Sequence, residues 1–277
     1  MAEQHTPRSL IVTLYGAYGR TAAGAPLPVA ELIRLLGALG VDAPAVRSAV
    51  SRLKRRGLLL PERTADGAAG YVLSAEGREL LDDGDRRIYA RPAPRLSDGW
   101  VLAVFTVPET ERHKRHLLRS RLGRLGFGTV APGVWIAPAR LHEETRHTLR
   151  RLGLDPYVGL FGGDHLGFEA TADAVGRWWD LASIAARHEE FLAAHEPVLN
   201  DWDSGAGGSP EDAYRDYLLA LDSWRHLPYA DPGLPAALLP RDWPGDRSAQ
   251  VFTRLHTLLR DTALAFVTPP FSGEGPA

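Results

Sequence analysis

Residues 42 to 57, Asp-Ala-Pro-Ala-Val-Arg-Ser-Ala-Val-Ser-Arg-Leu-Lys-Arg-Arg-Gly, constrain this chain more than any other stretch. Val46, Ala49, Val50 and Leu53 recur at i, i+3, i+4 and i+7, the spacing that gathers side chains on one face of an α-helix. Arg47, Arg52, Lys54, Arg55 and Arg56 add five positive charges, and no acid stands between residues 43 and 57. Ser48, Ser51 and Arg55 fall opposite the apolar stripe. Such a helix can seat one face on its own domain and offer small polar and guanidinium groups to a polyanion. A helix that enters the major groove of DNA must do both.

The flanking residues give this helix a setting. Residues 7 to 20 predict a first helix. Residues 27 to 39 predict a second, with Pro28 in its first turn and Leu32, Leu35, Leu36 and Leu39 as its apolar stripe. Gly40 supplies a stop, Asp42 an N-cap for the third helix, and Pro44 a first-turn residue. After Gly57, Leu58-Leu59-Leu60 and Tyr71-Val72-Leu73 predict two short strands around a turn-rich loop, and Ser74 can cap a further helix. Helix, helix, helix, hairpin, helix is the order of a winged helix-turn-helix domain, here over residues 1 to 90. In that setting Arg47, Ser48 and Ser51 are the expected base readers. Arg52, Lys54, Arg55 and Arg56 are the expected phosphate contacts, joined by Arg63 at the base of the hairpin. A charge run alone is more often a solvated helix face; the turn before it and the hairpin after it favour DNA.

Residues 91 to 98 form a proline-containing polar linker. Residues 97 to 173 then predict a second domain. It has a buried strand at 100 to 107, a basic helix at 109 to 124 and a strand pair within 127 to 137. A helix at 141 to 152, a strand at 157 to 161 and a further edge at 166 to 170 follow. The order β, α, β, β, α, β matches a ferredoxin-like sandwich. A metal-dependent nuclease of that fold needs acidic ligands beside its first strand. This strand leads into Val107-Pro108-Glu109 and holds no aspartate, so a non-catalytic dimerisation or spacer module is expected. A metal-dependent nuclease is the alternative. Arg112, Lys114, Arg115, Arg119, Arg121 and Arg124 make the first helix of this domain cationic, which suits DNA and a solvated face equally. His188 and His195 lie seven residues apart, too far for a His-Glu-x-x-His zinc site. No metal site or cofactor is expected, and the glycine clusters at 123 to 128 and 159 to 163 lack the order or the lysine of a phosphate loop.

Residues 174 to 277 predict an all-helical domain, with helices at 174 to 198, 210 to 226 and 249 to 267 and an irregular segment at 228 to 244. Residues 271 to 277 are expected to be loose. Its tryptophans are more often core than ligand wall. The best candidate for an effector contact is Trp224-Arg225-His226, whose guanidinium suits a carboxylate or a coenzyme A phosphate. The formal net charge is only -2, but it is unevenly spread. Residues 1 to 90 carry 12 basic and 10 acidic side chains, residues 91 to 175 carry 12 and 9, and residues 176 to 277 carry 8 and 15. A basic front and an acidic tail predict that the polyanion meets the first part. Cysteine is absent, which excludes disulfides and thiol chemistry. No apolar run approaches the ~18 residues that span a bilayer. The first residues lack a signal peptide's apolar core, so a cytoplasmic protein is expected.

These motifs resemble the PaaX family of bacterial transcriptional repressors over nearly the whole chain. RSLIVTLYGAYGR is similar to that family's opening helix, and APAVRSAVSRLKRRGLL to its recognition helix and wing entry. GFGTVAPGVWIAP resembles its middle domain. WWDL, followed by DPGLPAALLPRDWPG, resembles its C-terminal signature and is the most specific of the four. The resemblance implies an α+β protein with a winged helix-turn-helix domain, a middle domain like the CRISPR-associated ferredoxin-fold nucleases, and a helical C-terminal domain. It implies a homodimer that binds a double-stranded DNA operator and represses genes of aromatic-acid catabolism. The effector it implies is phenylacetyl-coenzyme A or another coenzyme A thioester.

Overall fold

Apolar periodicity and glycine stops become a mixed helix and sheet structure in a computed structural model, which describes residues 5–20, 25–89 and 94–268. The chain begins α1 (Pro7–Ala17), β1 (Leu27–Pro28), α2 (Val29–Gly37), α3 (Ala43–Arg55), β2 (Leu59–Arg63), β3 (Ala69–Leu73) and α4 (Ala75–Ile88). It continues β4 (Trp100–Phe105), α5 (Arg112–Arg124), β5 (Gly128–Ala131), β6 (Val134–Pro138), α6 (His142–Arg151) and β7 (Val158–Gly163). It closes with α7 (Thr171–Trp178), α8 (Leu181–Asp203), α9 (Pro210–Trp224), the short α10 (Leu227–Ala230) and α11 (Gly245–Val267). The chain forms two units, neither continuous in sequence. One comprises residues 1 to 90, 191 to 225 and 247 to 277; the other comprises 91 to 190 and 226 to 246. The residues expected as a third domain, 174 to 277, contribute to both.

In the first unit Thr6 caps α1 by accepting from the Ser9 amide at 3.2 Å, and Pro7 fills the first helical position. Leu10, Ile11 and Leu14 of α1, Leu32, Leu35 and Leu36 of α2, and the stripe of α3 form a buried core. Leu59, Val72 and Leu73 of the hairpin are buried as well. The sheet order is β1-β3-β2, and both pairings are antiparallel. The strand β1 has no alternating pattern to announce it. Leu27 and Pro28 pair with Tyr71 and Gly70, and a Cβ on Gly70 would stand 2.8 Å from the Leu27 carbonyl oxygen. Gly70 is therefore what lets the third strand come this close. On the other side of α1, Tyr214, Tyr217, Leu218 and Leu221 of α9 are buried, as are Phe252, Leu255 and Leu259 of α11.

The second unit holds a four-stranded sheet of order β5-β6-β4-β7, antiparallel throughout. Val101, Ala103 and Phe105 of β4 pack with Leu118 and Leu122 of α5 and Leu141 and Leu149 beside and within α6. Both helices thus lie on one face. Trp100 and Ile136 face the other way, against Val175, Trp179, Leu234 and Leu238. Three sequence expectations are corrected in and beside this unit. Residues 166 to 170 form no strand, and Leu166 and Phe168 are exposed. The helix expected at 174 to 198 breaks at Trp179, whose backbone is extended, and restarts with Asp180 accepting from the Ser183 amide at 3.0 Å. The apolar period runs straight through this break and hides it. The last helix starts at Gly245, four residues before its expected start at 249. The expected linker residues 91 to 93 and the expected loose tail at 271 to 277 lie outside the described residues.

Candidate nucleic-acid interface

The turn before α3 is set by glycine geometry. The Gly40 backbone has φ 79°, its amide donates to the Gly37 carbonyl at 2.9 Å, and the Val41 amide donates to the Leu36 carbonyl at 3.0 Å. That pair of bonds is the Schellman stop, which needs a left-handed residue at the position Gly40 fills. Asp42 then starts α3 by accepting from the Ala45 amide at 2.7 Å, with Pro44 just inside. At the far end Gly57, φ 74°, repeats the device: its amide reaches the Lys54 carbonyl and that of Leu58 reaches Leu53. The chain then turns directly into β2. A rigid helix is thereby held between two fixed turns, with a hairpin following at once.

The two faces of α3 separate cleanly. Val46, Ala49, Val50 and Leu53 are at most 5% exposed. Arg47, Ser48, Ser51, Arg52, Lys54, Arg55 and Arg56 are all exposed. Among the described residues none of these five cations sits in an ion pair. Elsewhere in the same unit arginine pairing is common: Arg20 with Asp82 and Asp85, Arg34 with Glu31, Arg86 with Asp83, Arg215 with Asp212, Arg247 with Glu196 and Arg254 with Asp203. Arg52, Lys54 and Arg55 lie in the last turn, where they complement the negative end of the helix. That accounts for a few tenths of a kcal/mol per charge, about 0.3–1. It gives no reason for Arg47, in the first half of the helix.

Arg63 stands at the loop end of β2, paired with Ala69, whereas the sequence placed it at the base of the hairpin. Its Nη1 donates to the Gly67 carbonyl at 2.6 Å and helps to close the loop. Gly67 has φ 84°, and the Thr64 hydroxyl bonds Asp66 and the Ala68 carbonyl. The guanidinium remains exposed at the tip, so one edge of it is available to an anion.

The three residues considered for an effector meet different surroundings. Trp224 is 3% exposed, stacks on Phe252 at 4.9 Å and 12°, and donates Nε1–H to the Ile88 carbonyl at 3.2 Å. Arg225 is half-buried and donates to Asp222 at 3.1 Å and to the Ser9 hydroxyl at 2.6 Å. His226 is exposed. Arg225 belongs to a cluster that no sequence motif announced. The fully buried carboxylate of Asp222 accepts from Thr13 Oγ1 at 2.6 Å, Ser9 Oγ at 2.7 Å and Arg225 Nε at 3.1 Å, and bonds His5 Nδ1 at 2.9 Å. Burial pushes its pKa up, but His5, Arg225, Thr13 and Ser9 outweigh burial and hold it at about 2. The one available signal was an acid inside the apolar repeat Tyr214, Tyr217, Leu218, Leu221 of α9. The histidines of α8 serve separate partners: His188 meets Asp231 at 3.1 Å, and His195 meets Ser223 at 2.9 Å. Glu109, the acid nearest the end of β4, is exposed and lies 3.4 Å from Arg115.

Three family models match: a PaaX-like protein model over residues 6–77, the PaaX protein central Cas2-like domain over 93–175, and the PaaX-like protein C-terminal domain over 179–269. The transcriptional repressor PaaX of Escherichia coli (strain K12) is 27% identical over 264 residues, which cover 94% of this chain and 82% of that protein. A solved structure of an uncharacterized protein from Mycobacterium tuberculosis is 25% identical. It matches with a TM-score of 0.60 over 95% of this chain and 98% of that one. The chain belongs to the PaaX family.

Proposed function

We propose that this protein is a DNA-binding transcriptional repressor whose α3 reads an operator. The observation that carries the proposal is the exposed cationic face of α3, in no ion pair among the described residues, behind a fully seated apolar stripe. The repressor named among its relatives supports the same reading. In it residues 1 to 90 act as a winged helix-turn-helix: α2 and α3 form the helix-turn-helix and the β2–β3 hairpin forms the wing. Arg47, Ser48 and Ser51, on the exposed face of α3, reach base edges. Arg52, Lys54, Arg55, Arg56 and the wing-tip Arg63 hold phosphates. The middle domain acts as a ferredoxin-like, non-catalytic module. Its element order and the sheet order β5-β6-β4-β7 support that assignment. No observation favours the nuclease alternative.

Regulation follows the same reading. The protein works as a cytoplasmic homodimer, so that two copies of α3 meet a palindrome at half-sites spaced by helical turns. Among the described residues no helix is long and apolar enough to cross a membrane. The genes it represses serve aromatic-acid catabolism of the phenylacetate type, and a coenzyme A thioester releases it. Release requires that the thioester bind the DNA-incompetent conformation more tightly than the competent one. The test is a mobility-shift assay on the DNA upstream of the protein's own gene, with and without a panel of aryl- and acyl-coenzyme A thioesters. A specific shift abolished by one class of thioester is expected. Absence of any sequence-specific shift would overturn the proposal, and a specific shift indifferent to every thioester would overturn the effector assignment alone.

A further inference from the structure

The helix α5, Arg-His-Lys-Arg-His-Leu-Leu-Arg-Ser-Arg-Leu-Gly-Arg, contains six arginines and lysines, two histidines and no acid. Surface helices usually interleave the two signs, because like charges three or four residues apart oppose helix formation. Here Leu118 and Leu122, both fully buried against the sheet, anchor the helix regardless. Two of the cations have local employment. Lys114 bonds Glu111 at 2.7 Å and Tyr157 at 2.5 Å, and Arg115 donates to the Val107 carbonyl at 2.8 Å and lies 3.4 Å from Glu109. Arg112, Arg119 and Arg124 are exposed and, among the described residues, in no ion pair. At ~1.5 Å of rise per residue they are strung over roughly 18 Å of helix. That length matches about five base pairs of duplex at ~3.4 Å per step. The Lys114–Tyr157 bond brings the start of α5 to the segment that follows α6, whose last residues Arg150 and Arg151 are also exposed and, among the described residues, in no ion pair.

We infer that this α5 surface, centred on Arg112, Arg119 and Arg124, is a second contact for duplex DNA, one that grips phosphates and reads no sequence. The inference rests on the DNA-binding reading above and assigns α5 a part that α3 does not need. Three features favour a duplex backbone. Arg112, Arg119 and Arg124 outnumber the two acids at the helix start, Glu109 and Glu111, which are taken up by Arg115 and Lys114. Among the described residues the tryptophan and tyrosine packed beside it, Trp135 and Tyr157, are partly buried, so neither offers an open face on which single-stranded bases would stack. The patch also has no apolar stripe left over to enter a lipid surface, because both buried leucines are spent on the sheet.

The full-length protein tests this with the triple variant Arg112→Gln/Arg119→Gln/Arg124→Gln and its charge-keeping counterpart Arg112→Lys/Arg119→Lys/Arg124→Lys. Binding is measured across a salt series on the upstream duplex that the parent protein shifts and on a duplex of unrelated sequence. The glutamine variant should bind both duplexes more weakly by a common factor. Its slope of log affinity against log salt should fall by about 0.9 for each phosphate that is no longer neutralised. The lysine variant should keep the parental slope. Equal melting temperatures of parent and variants exclude misfolding as the cause. A glutamine variant with parental affinity and slope on both duplexes overturns the inference. So does one that loses only the preference for the upstream duplex. If α3 variants leave sequence discrimination intact while the α5 variant still lowers the slope, the α3 reading fails and this one stands. A parent that binds neither duplex sinks both.

Discussion

At the residue scale, two buried groups contribute strongly to the protein's acid sensitivity. Asp222 is held at about 2, below its ordinary 3.8, by the Ser9, Thr13, His5 and Arg225 partners that overcome its burial. Because its folded pKa is depressed, its stabilising contribution is present above pH ~4 and is lost as pH falls towards ~2; the shift corresponds to about 2 kcal/mol. His195 is lowered from 6.5 to about 4, by burial first and by the charge of His5 second. It is neutral in the folded state, so the unfolded chain takes up its proton first and stability falls as pH drops from ~6.5 to ~4. Stability should therefore decline in two pH windows, ~6.5 to ~4 and ~4 to ~2, which melting temperatures taken across that range will resolve. Exchanging His195 for glutamine should reduce the upper decline, to which His256 also contributes, and leave the lower one. Exchanging Asp222 for alanine should cost roughly 3 kcal/mol at neutral pH, because Arg225 and two hydroxyls lose a buried acceptor. A destabilisation under half of that would show that the cluster is not a structural centre. Beyond an acid inside an apolar repeat, none of this was legible in the sequence. An aspartate in an amphipathic helix reads as surface, and its partner Ser9 is 213 residues away.

At the scale of elements, local chemistry was the legible part. The stop at Gly40, the cap at Asp42, the stripe of α3 and the hairpin are all encoded within a few residues of where they act, and all appear. Replacing Asp42 with alanine should cost about 1 kcal/mol, read from chemical denaturation, because the Ala45 amide then has no capping acceptor. Leu53→Ala should cost about 2–5 kcal/mol, because that side chain is 1% exposed at the centre of the core. What escaped the sequence was structure imposed by partners. β1 exists because Gly70 leaves room beside it. The α7–α8 break exists because Gly128 leaves room for Trp178 and Trp179: a Cβ there would stand 2.6 Å from the Trp178 carbonyl oxygen and 2.7 Å from the Trp179 ring. The Trp179 indole then donates to the Gly126 carbonyl at 3.0 Å. Gly128→Ala should accordingly destabilise the protein by about 1–3 kcal/mol, although alanine normally favours a strand over glycine. A neutral or stabilising effect in a melting experiment would contradict this account of the break.

At the scale of the whole molecule, the sequence describes three consecutive domains, and the chain builds two units from interleaved segments. Periodicity reports which face of a helix is buried but not against what, so a helix such as α9 gives no hint that its buried face meets α1. Charge behaved differently. The sum of -2 conceals the distribution, yet the segment counts already separated a basic front from an acidic rear. The structure refines that division by showing which cations have acidic partners. Arg20, Arg34 and Arg254 of the first unit do, whereas among the described residues those of α3 do not, and the same contrast marks Arg112, Arg119 and Arg124 of α5. The central claim is that the unpartnered face of α3 reads sequence. The most direct measurement compares the affinities of the parent, Arg47→Ala and Ser51→Ala for the upstream duplex and for single-base variants of it. Each substitution should erase discrimination at its own position, by about 1–3 kcal/mol, while binding to unrelated DNA changes little. Discrimination that survives both substitutions at every position would contradict the claim.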